Sequence, residues 1–157
     1  MEISGIPLHP LVVHAAVVFG PVAALLALGY VAVPRWRWAL RWPVVVTVVL
    51  GAAFTMLASL SGDALLEARS GLKQLEVVEE HEELGELGRN VVLIFTVLAL
   101  VATWRLRGPS PLRGDAPGAA KGGALNVVLA AATGLAAIGV LVAIFLAGHS
   151  GATAVWG

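Results

Sequence analysis

The chain carries four histidines, His9, His14, His81 and His149, and no cysteine. Neutral imidazole is the commonest protein ligand for transition metals and serves haem iron as an axial ligand. Without cysteine, thiolate metal sites, iron–sulfur ligation and covalent c-type haem attachment are excluded. Two of the histidines fall inside PLHPLVVH, residues 7 to 14. Five positions apart, they would sit about 140° from each other on an ideal helix, so they cannot clasp one ion as an i, i+4 pair could. His9 precedes Pro10, and a residue before proline is biased away from helix, with the proline suited to the first helical position. His9 is therefore expected at the rim and His14, more than a turn further in, as the buried ligand.

Two kinds of site suit these residue types. One is b-type haem, gripped by imidazoles from facing helices in an apolar pocket. The other is a copper, zinc or iron ion held by three or four imidazoles, with Glu82 as a further donor. His81 lies on a stripe of apolar residues and glycines, with Gly85 and Gly88 close by and Gly148 beside His149. That favours admitting a flat macrocycle over a hydrated ion, which would recruit the abundant neighbouring carboxylates. Arg89 is expected to need an anion at its depth, supplied by a haem propionate, a quinone oxygen, Glu82 or Glu86. No Ser–His–Asp spacing supports nucleophilic catalysis, and neither a phosphate loop nor a nucleic-acid-binding patch is present.

The elements that must position these side chains follow from composition. The chain is 59% hydrophobic and 13% charged, against about a quarter charged in soluble domains. Four apolar stretches, 11–33, 43–62, 87–104 and 124–148, approach the roughly 20 residues that a bilayer core requires. The third reaches that length only by borrowing Leu84, Leu87 and Gly88. Residues 1–10 hold no Lys or Arg, so the first stretch is expected to stay as a span and not to be cleaved as a secretory signal. The fold class is all-α, an integral membrane up-down bundle of four helices forming a single domain. Residues 74–90 are expected to extend the third helix beyond the membrane, on the spacing of Val77, Val78, His81, Leu84, Gly85 and Gly88. Before them, SGDALLEARSGLKQ is expected as a turn or two on the membrane surface, with Ser61 or Asp63 as a cap. Residues 105–123, rich in Pro and Gly, are expected as a solvated tether. No convincing internal repeat is visible.

Charge orients the bundle. RWRWALRW and the 105–123 loop together hold seven of the ten basic residues. The other side carries Arg69, Lys73 and Arg89 against nine acidic residues. The positive-inside rule then puts both termini outside the cytoplasmic membrane, and a net charge of zero conceals opposite charges on the two faces. At 1.5 Å per residue from the inner boundary, His14 stands about 30 Å up, His81 about 35 Å, and His9 and His149 about 37 Å. All four thus share one layer at the outer edge of the hydrocarbon. A single interfacial histidine is ordinarily a snorkelling residue, but four from three helices in one layer point to a site.

The opening IPLHPLVVH, the four-span layout, the stretch HEELGELGRN and the ending GHSGATAVWG together resemble the bacterial membrane family called domain of unknown function 2231. The likeness runs over essentially the whole chain. The family resembles small membrane cytochromes, and some members occur joined to or beside electron-transfer domains. The resemblance implies haem b and implicates His9, His14 and His149, with His81 alongside. Some relatives have a further histidine after the final glycines, where this chain has Val155 and Trp156, which argues against a second haem pocket. The expected function is electron transfer near the outer face by one or two b-type haems, between the quinone pool and an extracytoplasmic cytochrome or Rieske protein. His14 and His149 are the expected axial pair, with His81 and His9 as a second pair or supporting donors. The alternatives are a metal-ion protein and an accessory subunit of a homo-oligomer or larger respiratory complex.

Overall fold

The structure is a computed structural model that describes residues 2–3, 6–108, 110 and 123–156. Most of the expected 105–123 tether lies outside the described residues. A two-residue ribbon opens the chain, β1 (Glu2–Ile3) antiparallel to β2 (Ile6–Pro7), with Glu2 opposite Pro7 and Ile3 opposite Ile6. Four helices follow: α1 (Leu8–Ala32), α2 (Arg37–Ala68), α3 (Glu76–Arg105) and α4 (Ala124–Trp156). Short 3-10 turns at Pro34–Trp36 and Ser70–Gln74 join the first three.

The helix ends explain where the expectations shift. α1 begins at Leu8, two residues before Pro10, because the first turn has no intrahelical use for the N–H that proline lacks. His9 is consequently helical and not a bent rim residue. α2 does not stop at Gly62. Residues 63–68, DALLEA, are good helix formers, and they carry it to Ala68, so Ser61 is an interior position and not a cap. α3 runs unbroken from Glu76 to Arg105, which makes the expected extension and the third span one rod. Glu76 and Glu79 in its first turn suit the positive end of its dipole. α4 continues past Gly148 to Trp156.

All four helices are long and apolar enough to cross a membrane, with mean hydropathy 1.8 for α3 against 2.2 to 2.6 for the others. α3 is thus the least apolar span, in line with its short apolar core. Large apolar side chains such as Leu25, Ile94, Val97, Leu135 and Phe145 are more than half exposed on the outside of the bundle. An apolar belt of that extent is at home in lipid and not in water.

α1 packs against α2 and α4, and α3 against α2 and α4, leaving α1 and α3 as a diagonal pair. The tightest packing is in the middle and at the end bearing the basic turns. There Tyr30, Val44, Val48, Phe95, Thr133 and Val140 are wholly buried among Ala23, Ala24, Ala27, Ala99, Ala102 and Ala137. Small residues let the rods close up: a Cβ on Gly51 would stand 3.5 Å from the α1 backbone at Phe19 and Gly20. The helix ends at this basic side are sealed by side chains. Arg37 Nε donates to the Tyr30 carbonyl at 3.1 Å and its Nη2 to the Val31 carbonyl at 3.3 Å. The Tyr30 hydroxyl donates to the Leu106 carbonyl at 2.6 Å. These carbonyls belong to the last turn of α1 and to the residue that caps α3, where no helical N–H is left to serve them.

Candidate functional site

The other end of the bundle holds the histidines, and the structure divides them in two. His9, in the first turn of α1, is half-buried and reaches α2, with its Nδ1 2.8 Å from the Ala58 carbonyl and 3.4 Å from Ser61 Oγ. Ser61 is buried and donates to the same Ala58 carbonyl at 3.0 Å. His81, on α3, is half-buried and reaches α4, with its Nδ1 3.0 Å from Ser150 Oγ. Ser150 is buried and donates to the Ala147 carbonyl at 3.0 Å. Across the bundle the two imidazole rings stand 6.4 Å apart, centroid to centroid, with their planes at 72°. The diagonal helices therefore bring their histidines together.

Glycine makes the seat for each ring. A Cβ on Gly62 would lie 3.2 Å from His9 Cε1, and one on Gly151 would lie 2.9 Å from His81 Cε1. Both rings thus rest almost on helix backbone. Further along α3, four and seven residues beyond His81 and so on its face of the helix, Gly85 and Gly88 behave differently. Gly88 is buried, yet a Cβ on either glycine would meet nothing within 4 Å. The histidine end is accordingly less filled than the basic end.

The expectation for His14 is corrected. Instead of being the buried ligand it is exposed on the outside of α1, its Nδ1 hydrogen-bonded to the carbonyl of Pro10 in its own helix. The five-residue step turns one of the two histidines inward and the other out, and the residue facing the bundle is His9. His149 is exposed as well and stacks on Phe145, with ring centroids 6.2 Å apart and planes within 4°. It edges a groove of about 460 Å3 between α1 and α4, lined also by Val17, Pro21, Leu141, Ile144, Phe145 and Gly148. The neighbouring Ser150, roughly 100° round the helix, takes the inward place. The His14 and His149 pairing is therefore not assembled inside the bundle.

Arg89 finds its partners within the protein. Its Nη1 donates to Ser59 Oγ on α2 at 2.9 Å, and Nη2 lies 3.6 Å from Glu86 Oε1. Of the anions expected for it, Glu86 is the one within reach, and both Glu86 and Glu82 are exposed. Among the described residues, no three of His, Asp and Glu gather closely enough to hold a metal ion. What sequence reasoning missed is the place of Ser61 and Ser150 beside His9 and His81, Ser61 being expected only as a cap. Their signal was present as two matching pentads, ASLSG at 58–62 and AGHSG at 147–151, too short to stand out as a repeat.

Four helices long and apolar enough to cross a membrane, with two half-buried imidazoles facing each other at one end, define a four-helix membrane protein. The chain belongs to the family of predicted membrane proteins termed domain of unknown function 2231, whose model matches residues 5–157. Neither a curated protein nor a solved structure matches it.

Proposed function

We propose that the chain is an up-down bundle in the bacterial cytoplasmic membrane that holds one b-type haem between His9 and His81 and carries electrons near the outer face. The observation behind this reading is the approach of the two rings to 6.4 Å. A metal midway between two imidazole nitrogens, about 2.0 Å from each and on opposite sides, puts the ring centres roughly 6 Å apart. A porphyrin brings its own four equatorial nitrogens, so two imidazoles suffice, while an ion site would ordinarily want three or four protein donors. The open space beside buried Gly88 is where a macrocycle could be admitted.

Haem bound there would supply one-electron redox chemistry, with its potential set by the two imidazoles and their burial. The protein's own part is to hold those imidazoles, keep the pocket apolar and keep a cation nearby at Arg89. With seven of ten basic residues in the stretches 35–42 and 105–123 that follow α1 and α3 in the chain, the histidine end faces outward together with both termini. Electrons would then pass between the quinone pool and an extracytoplasmic cytochrome or Rieske protein, at a face rich in carboxylates.

The decisive measurement is the visible spectrum of the chain purified in detergent after expression with ample haem. A Soret band with reduced α and β bands is expected. A colourless preparation would overturn the reading, and elemental analysis of it would separate a copper, zinc or iron protein from an accessory subunit.

A further inference from the structure

We infer that the hairpins α1–α2 and α3–α4 present corresponding half-sites, in which the Ala58 carbonyl, bound also by Ser61, and the Ser150 hydroxyl are the positioning groups that hold the proton of His9 and His81 on Nδ1 and leave Nε2 as the ligating nitrogen. The hydrogen bonds carry the logic. A carbonyl oxygen can only accept, so His9 Nδ1, at 2.8 Å from the Ala58 carbonyl, must bear a proton. In the other half, the Ala147 carbonyl, which can only accept, takes the Ser150 hydroxyl proton at 3.0 Å in the inferred arrangement. Facing His81 Nδ1 at 3.0 Å, the Ser150 oxygen accepts, and Nδ1 again carries the proton. A neutral imidazole has one N–H, so in both rings the lone pair available to a ligand is on Nε2.

The two halves match in sequence offset, although the short contact from Nδ1 runs to the Ala58 carbonyl in one and to the Ser150 hydroxyl in the other. Counting from the accepting carbonyl, the serine is three residues on and the glycine under the ring four residues on, at Ala58–Ser61–Gly62 and at Ala147–Ser150–Gly151. An anion placed between the rings would require N–H donors pointed at it. Two imidazoles held in the same tautomer instead offer two equivalent lone pairs, the arrangement that a metal with opposed axial positions takes. Hydroxyls and carbonyls that bind the far nitrogen are the partners that orient ligating histidines in metal sites.

The identity of the ligand rests on the proposed haem, but the tautomers do not, and this separates the two failures. In nitrogen-15-labelled protein without haem, at a pH where imidazole is neutral, long-range proton–nitrogen correlation should show His9 and His81 protonated on Nδ1. A proton on Nε2 of either ring would overturn the half-sites whether or not haem binds. In the haem-loaded protein, Ser150→Ala should keep the Soret position, release haem about tenfold faster and raise the midpoint potential, because a weaker bond from Nδ1–H makes the imidazole a poorer donor to iron, whereas Ser61→Ala, which leaves the 2.8 Å bond to the Ala58 carbonyl in place, should change both less. Ser150→Thr, which keeps the hydroxyl, should restore the potential. A Ser150→Ala variant with unchanged release rate and potential would show that the hydroxyl only packs.

Discussion

A step of five residues separates His9 from His14, and on a helix it sends the two side chains in nearly opposite directions. That fact is legible in the sequence, but which of the two faces the bundle is not. The structure gives the inward place to His9, beside Ala58 and Ser61, and leaves His14 exposed. His9→Ala and His81→Ala are therefore each expected to abolish the haem Soret band, whereas His14→Ala and His149→Ala keep it, as measured by haem per chain after purification. The opposite pattern would return the site to the outward pair. Gly151→Ala tests the seat. Alanine is favoured over glycine in a helix by about 1 kcal/mol, so the fold should persist, but its Cβ would stand 2.9 Å from His81 Cε1 and push the ring aside. Lower haem retention with undiminished helical content is the expected outcome by absorbance and circular dichroism.

Individual helices were largely readable from their apolar runs, but their ends were not. The apolar run of the second span ends at residue 62, whereas α2 continues through DALLEA to Ala68. Hydropathy reports what a segment can bury, and helix propensity reports what it can wind, so the two need not end together. This extra length keeps Ser61 within regular helix and aims it at His9. At the basic end, closure depends on side chains from one element satisfying another. Tyr30→Phe removes the donor to the Leu106 carbonyl, and leaving a buried acceptor without its partner costs about 1–3 kcal/mol. Thermal unfolding in detergent should show the loss, with haem content unchanged because the two ends of the bundle are too far apart to couple. An equal loss of haem would mean that the core transmits strain from one end to the other.

For the whole molecule, the outward display of Leu25, Ile94, Leu135 and Phe145 around an alanine-rich centre is the inverse of a soluble bundle. Orientation in the bilayer then turns on charge. A reporter inserted near Asp115 in the basic loop should read as cytoplasmic, and one fused at Gly157 as extracytoplasmic. The reverse result would place the histidine pair on the inner face and exclude an outer electron acceptor.

Composition, run length and charge by themselves determined an all-helical membrane protein with four spans and a layer of histidines at one end. Those properties accumulate along the chain and need no knowledge of what lies across from each residue. Which histidines face the bundle belonged to the tertiary structure, because one residue is roughly 100° of rotation on a helix, and only packing against the neighbours sets that rotation. The same packing brought Ser61 and Ser150, 89 positions apart, into matching places beside His9 and His81.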